Sequence, residues 1–506
     1  MGLTTATPRS VRPSQILILK GEKREREREK RERAALDVDS ASRQKEGPRD
    51  FEEAGGSFER PVAQHQSSFF FFLLFPFSGF ERRNDTTMMR VRRSAFFAAA
   101  AVLCVFAAGY VEGSSSVTQL PPDWVHTEPL NMPIKTLMGP GPSTAYPRIL
   151  EAAKQPLVGH LHPEFVKLMS DVQDQLRYTF QTESKYTIAI SGTGHAAMEA
   201  AVANFVEPDD HVLVGVNGIW GERMCDLVQR YLGVPVRMVK PGGEVFTTEE
   251  IEAELKRDER IKLVFLTHGE SSTGTLQPIE GIGDLVHSHG ALFFLDTVCT
   301  LGCVPFNVGS QGIDITYSGS QKCLGAPPGS SPLTVSQGAM EKLRSRKQPP
   351  FTYYFDLNLL GEYWGFNDNP RWYHHTGMVT NMYTLREALS ILQEEGLEKA
   401  WDRHRQAAER LWAGLEALGL ELFVENPELR LPTVTTVKVP EGVDWKDVSG
   451  HMMSKYKIEI SGGLGPTAGK VWRIGIMGYN AGPQQVNRLL QALKDALDLY
   501  KPKAEL

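Results

Sequence analysis

Residues 313–322 read Ile-Asp-Ile-Thr-Tyr-Ser-Gly-Ser-Gln-Lys, a β-branched run that stops at Tyr317 and gives way to small residues and one lysine. The run predicts a strand over Ile313–Tyr317, because β-branched and aromatic side chains fit a pleated, buried surface. Ser318-Gly319-Ser320-Gln321 breaks the pattern, so the chain turns there and delivers Lys322 just past the strand's carboxyl end. The same design recurs upstream. Ala291–Asp296 is an apolar run that ends in an acid, and Tyr186–Ile190, His211–Val216 and Leu263–Thr267 read as further strands. Helical patterns lie between them, His195–Phe205 and Arg223–Tyr231 among them. This alternation predicts an α/β chain with a mostly parallel sheet covered on both faces. Ligands of such sheets bind at the carboxyl ends of strands. Lys322 and Asp296 are therefore the first site candidates.

Downstream of Asn381 the texture changes. Met382–Glu395 and Ala400–Leu418 read as long amphipathic helices. Short strands follow at Thr433–Val439, Ile458–Ile460 and Val471–Ile476, and a helix from Pro483 to Leu499 closes the chain. The expected layout is an N-terminal arm and large domain over residues 120–394, then a smaller C-terminal α+β domain over 395–506. A chain of 506 residues, 41% apolar, has enough material for such cores. Its net charge of −6 supplies no basic field for nucleic acid. Five cysteines without regular spacing do not make a secreted disulfide scaffold, and Cys299 with Cys303 misses the zinc templates. No repeat of fixed period is present.

Residues 1–119 are a different material, with 19 Lys/Arg and 15 Asp/Glu. From Lys20 to Arg33 glutamate alternates with arginine and lysine, which cannot bury a core, so residues 1–87 are expected to be a disordered extension. The aromatic run Phe69–Phe77 is too short to cross a bilayer, which takes about 20 apolar residues. Met88-Met89 precedes Arg90, Arg92, Arg93 and an Ala/Phe-rich stretch, so residues 88–119 read as a targeting segment, with translation expected to start at Met88 or Met89.

Four motifs carry chemistry. Ser191-Gly192-Thr193-Gly194-His195-Ala196-Ala197 follows a strand and opens a helix, pointing backbone N–H groups at an anion. It also matches the dinucleotide pattern, but the acid that should follow the next strand is replaced by Val216-Asn217-Gly218. Asp296 is either a cap or a partner for a protonated ring nitrogen. Lys322, with few charged neighbours, suits a Schiff base better than a solvated surface. Arg473, set in Val471-Trp472-Arg473-Ile474-Gly475-Ile476, needs a carboxylate from the protein or from a ligand. Together the four specify pyridoxal 5'-phosphate chemistry: anion cradle, acid, amine and substrate-carboxylate clamp.

From about Leu120 onward the chain resembles the alanine–glyoxylate (serine–pyruvate) aminotransferases, class V members of the aspartate-aminotransferase-like fold, fold type I. The resemblance rests on Gly139-Pro140-Gly141-Pro142-Ser143, Ser191–His195, Gly218-Ile219-Trp220-Gly221, and Thr267-His268-Gly269-Glu270-Ser271-Ser272-Thr273-Gly274. Tyr317–Lys322, Tyr373-His374-His375-Thr376 and Gly462-Gly463-Leu464-Gly465-Pro466 extend it. It implies that Lys322 bonds the cofactor and shuttles a proton, and that Asp296 keeps the pyridine nitrogen protonated. It further implies that Trp220 stacks on the ring, Ser271 bonds its hydroxyl region, and Thr193, Gly194, His195 and Gln321 hold the phosphate. Tyr373 and Thr376 would reach the phosphate of the neighbouring subunit of a homodimer, and Arg473 would align the substrate. Alanine or serine would give its amino group to glyoxylate, leaving pyruvate or hydroxypyruvate and glycine, in glyoxylate catabolism. His374 and His375 are not expected to bind metal, because neighbours on a strand face opposite ways.

Three other readings stand beside this one. A cysteine desulfurase-like lyase of the same class needs a mobile reactive cysteine, whereas Cys225, Cys299, Cys303 and Cys323 sit in apparently packed contexts. A nicotinamide dehydrogenase rests on the Gly-x-Gly turn alone, and a silent scaffold would have no use for the lysine, acid and arginine. The resemblance implies a mitochondrial or peroxisomal enzyme without stable membrane insertion. Ala504-Glu505-Leu506 is a poor peroxisomal signal, which favours mitochondria.

Overall fold

The structure is a computed structural model that describes residues 128–367 and 370–500, so the readings of residues 1–87, 88–119 and 504–506 lie outside the described residues. In chain order, the elements that matter begin with β1 (Thr136–Leu137), α1 (Pro163–Phe180), β2 (Thr187–Ser191), α2 (Gly194–Phe205), β3 (His211–Val216), α3 (Ile219–Arg230) and β4 (Val234–Val239). β5 (Ile261–Thr267), β6 (Leu292–Asp296), β7 (Ile315–Tyr317) and β8 (Ser330–Val335) complete a seven-stranded sheet of order β2-β8-β7-β6-β5-β3-β4. All its strands run the same way except β8, which is antiparallel to both β2 and β7.

The strands form because their residues are buried from both sides, as a helix-covered parallel sheet requires. Phe293, Phe294, Leu295, Ile315 and Tyr317 are inaccessible or nearly so. Helix α2 lies close because its sheet-facing positions are small: Ala197, Ala200 and Ala201. One run of strands is therefore aligned at its carboxyl ends. Thr267 lies in register with Asp296, and Asp296 with Tyr317.

A second core surrounds β9 (Val434–Lys438), β11 (Ser461–Gly462) and β12 (Val471–Gly475), a three-stranded antiparallel sheet with β12 in the middle. The helices α5 (Leu397–Ala417) and α6 (Pro483–Tyr500) cover it, while α4 (Val379–Glu395) packs on the first core. Trp472 is fully buried there and donates its indole N–H to Trp445 O at 3.0 Å. The segment Thr136–Gly139 departs from the sequence reading, which grouped it with the large domain. β1 pairs with β10 (Ile458–Glu459), and Met138 is buried in the second core. No helix among the described residues is long and apolar enough to cross a membrane.

Close backbone packing places α3 on β3. A Cβ added at Gly221 would lie 2.4 Å from Gly215 O and 2.8 Å from the Cα of Val216. Both are backbone atoms and cannot swing away. Gly221→Ala is expected to lower the unfolding free energy by about 1–3 kcal/mol, the usual size of an overpacking strain. Denaturant unfolding checks this, and an unchanged midpoint contradicts it.

Candidate active site

Asp296 ends β6 and is buried, 3% exposed. Its Oδ2 accepts from the Tyr317 hydroxyl at 2.6 Å and its Oδ1 from Val298 N at 2.8 Å. Burial drives its pKa up to about 6, against the pull of those two hydrogen bonds and the charge of Lys322. Among the described residues it forms no ion pair, so a cation facing it would find a carboxylate ready to be stabilised.

Lys322 is half-buried on the turn after β7. Its Nζ donates to Pro140 O at 2.5 Å, and a Cβ added at Gly141 would lie 2.5 Å from the same Nζ. Gly141 has φ +123°, a backbone region that side chains disfavour. The segment Gly139–Gly141 therefore covers the amine, which only a glycine permits. Ser143 pins the segment, donating its hydroxyl to Lys322 O at 2.6 Å.

The amino end of α2 faces the same turn. Thr193 is its N-cap residue, in an extended conformation with no side-chain cap, so the first N–H groups are left for another acceptor. A Cβ at Gly194 would stand 3.5 Å from Val298 and 3.9 Å from Gly319, which brings the helix start against both the Asp296 and the Lys322 loops. Thr193 and His195 are exposed, and Gln321 carries a buried Oε1 without a hydrogen-bond partner among the described residues. His195 lies 3.0 Å from Arg223 Nη1 and edge-on to Trp220, with ring centroids 5.4 Å apart. Partial desolvation of its ring, then the charges of Arg223 and Lys322, draw the His195 pKa down despite Glu199.

Trp220 sits in the first turn of α3, half-buried, and its indole N–H donates to Ser271 Oγ at 2.9 Å. Behind this pair lies Glu270, fully buried. Arg473 reaches in from β12, 9% exposed. Its Nε donates to Gly462 O at 2.8 Å and its Nη1 reaches Ser271 O at 3.4 Å. No carboxylate of the described residues pairs with it, and burial without such a partner draws its pKa down from the ordinary value.

Tyr373 and Thr376 are not part of this cluster. Both are exposed, and Tyr373 rests its ring 5.2 Å from that of His160. The reasoning that separated His374 from His375 does not hold. Residues 370–376 form no strand, and the two Nδ1 atoms approach to 2.8 Å. No group of three or more potential metal-ligating side chains gathers among the described residues. Cys225, Cys299, Cys303 and Cys323 are all free and buried. Cys303 differs from the others in lying 3.0 Å from His404 Nε2. Pro140, Glu270 and Tyr317 are site residues to which sequence reasoning gave no role. Tyr317 ends a legible strand, but nothing in the chain's order announces the contact of Pro140 with Lys322.

The buried acid makes stability depend on pH. Asp296 holds its proton up to about pH 6 in the folded chain, whereas an unfolded aspartate releases it near about 3.9. This contribution is fully present below the unfolded value and is lost as pH rises through the folded one, an effect of roughly 2–3 kcal/mol. Asp296→Asn is expected to flatten that stretch of the stability–pH curve of the cofactor-free chain, followed by denaturant unfolding. An unaltered slope contradicts the burial argument.

Residues 145–489 match the family model for aminotransferase class V. The alanine–glyoxylate aminotransferase of Callithrix jacchus is 47% identical over 402 residues, covering 79% of this chain and 96% of that one. The (S)-ureidoglycine–glyoxylate transaminase of Bacillus subtilis is 36% identical over 72% of this chain and 91% of its own. The crystal structure of an alanine–glyoxylate aminotransferase from Nostoc superposes with a TM-score of 0.72 at 47% identity, covering 74% of this chain and 98% of that one. By sequence and sheet topology together, the chain belongs to the class-V aminotransferase family and has its fold-type-I α/β architecture.

Proposed function

We propose that the chain binds pyridoxal 5'-phosphate and moves the amino group of L-alanine or L-serine to glyoxylate, giving pyruvate or hydroxypyruvate and glycine. The observation that carries this reading is the buried Arg473 guanidinium, which has no carboxylate partner among the described residues and lies close to a cleft that also holds Asp296 and Lys322. The named relatives that act on glyoxylate add the acceptor.

The residues present fit the cofactor. The uncapped α2 start at Thr193, Gly194 and His195 offers N–H donors that suit a phosphate, and the Gln321 side-chain NH2 can donate beside them. Asp296 is a carboxyl without a cation, and Lys322 supplies the amine. When bound, the cofactor supplies an aldehyde that bonds amines and a ring that accepts the electrons of a broken C–H bond. Asp296 holds a proton at the nitrogen facing it, since the burial that disfavours its charge is relieved by that cation. Trp220 covers one side of the site and excludes water, and its hydrogen bond leaves the Ser271 hydroxyl proton free to donate. Lys322 Nζ takes the α-proton of the amino donor and returns it to the other partner. Arg473 binds the carboxylates of donor and acceptor in turn, which fixes the direction of the bond to be broken.

A homodimer completes the proposal. Tyr373 lies on an exposed surface with Phe351, Tyr353 and Trp372, all more than half exposed, and Thr376 is exposed as well. Such an aromatic surface suits a partner subunit.

The cofactor-loaded chain is expected to form pyruvate and glycine from L-alanine and glyoxylate. Lys322→Ala should form neither. Arg473→Ala should lose about 1.5–3 kcal/mol in kcat/KM, the worth of a charged hydrogen bond. Product analysis and steady-state kinetics check all three. A wild-type chain that forms no pyruvate, or an Arg473→Ala chain with unchanged kinetics, contradicts the proposal.

A further inference from the structure

Glu270 has no role in the chemistry above, yet it is among the least accessible charged residues of the described chain. Its carboxyl is surrounded by donors rather than cations. Oε2 accepts from Trp220 N at 3.1 Å, and Oε1 accepts from Ser272 N at 2.9 Å and from Ser272 Oγ at 2.6 Å. Ser272 Oγ in turn accepts from Ile219 N at 3.1 Å. The first two N–H groups of α3, which a helix leaves without partners, are thus satisfied by the side chains of Ser272 and Glu270, which flank Ser271. The backbone makes room for this. A Cβ at Gly218 would lie 2.2 Å from the Glu270 Cδ, so only glycine lets the helix start approach the carboxyl.

We propose that Glu270 is a positioning residue of the transaminase site: its carboxylate ties the start of α3 to Ser271 and Ser272 and so holds the Trp220 indole against the Ser271 hydroxyl. The unit closes on itself, because the Trp220 side chain donates to Ser271 Oγ while its backbone donates to Glu270. Three donors converge on two oxygens that an ionised carboxylate can satisfy completely. Each of those bonds is stronger to an ionised carboxylate than to a neutral carboxyl, whose protonated oxygen is the weaker acceptor. The ionised form is the positioning form.

The charge of Glu270 is set by everything packed around it. Burial pushes its pKa up to about 7, the Ser272 and Trp220 hydrogen bonds oppose that, and the negative charge of Asp296 adds to it. Arg473 from β12, Tyr317 from β7 and Cys299 feel its charge from their own elements. As pH falls through this value the tie loosens. Activity should then decline on the acid side for a reason that Lys322 does not supply.

The decisive readout is the emission of Trp220 in the cofactor-free chain, taken as the difference from matched Trp220→Phe variants because the chain has eight tryptophans. A transition near pH 7 is expected in the wild type and should be missing from Glu270→Gln. Ser272→Ala, which removes a hydrogen bond that stabilises the charge, should move it to higher pH. In the loaded enzyme, Glu270→Gln should lose about tenfold or more in kcat/KM, the scale of a lost charge-assisted hydrogen bond, together with the acid limb. A transition that survives in Glu270→Gln belongs to Asp296 and overturns the proposal. Should that variant not fold, Ser272→Ala decides, and an unmoved transition overturns it. The activity arm rests on the transaminase reading. An inactive wild type overturns that reading, and the fluorescence arm still decides on Glu270.

Discussion

A carboxyl group kept from water and given no cation governs this structure. Asp296 sits at the carboxyl end of β6 among Tyr317, Val298 and the apolar body of the sheet. A buried charge of this kind is expensive unless paired, and the hydrogen bonds around it reduce that expense without removing it. A positively charged group arriving beside Asp296 would relieve that expense. Glu270, in the next strand connection, repeats the arrangement with three donors and no ion pair. Two acids held this way raise the electrostatic demand on the cleft and are compatible with the fold only because so much apolar surface is buried around them.

The two cores divide the labour. The first supplies a row of strand ends, so that Thr267, Asp296 and Tyr317 lie side by side and their following loops converge. The second supplies β12, and this one strand acts twice. Arg473 points from it toward Ser271. Two residues on, Gly475 N donates to Met138 O at 2.7 Å, and a Cβ at Gly475 would lie 2.0 Å from Gly139 O. The segment that covers Lys322 is thereby fastened to the strand that carries Arg473. A shift of the second core would move Arg473 and the Lys322 cover together.

Much of this was legible in the chain. β3 was readable to the residue, and β5, β6 and β7 within two residues at their starts, because their apolar and β-branched runs are unbroken. β8 was not, since Ser330-Ser331-Pro332 reads as a turn; its burial on both faces and its pairing with β2 and β7 make it a strand. β4 was hidden by Pro235 and Arg237, tolerated because it is an edge strand. Lys322, Asp296 and Arg473 stood out by type and position. The contact of Lys322 with Pro140 spans 182 residues and has no local signature. Glu270 was visible as a letter in a motif, but its complete burial and its bonds to Trp220 and Ser272 exist only in three dimensions.

The central claim is that Lys322 is the amine that the buried acid and the helix start are arranged to serve. Borohydride reduction of the chain loaded with pyridoxal 5'-phosphate, followed by peptide mass mapping, tests it without reference to substrate. The account requires one phosphopyridoxyl group, on Lys322. Label on any other lysine, or none at all, contradicts it.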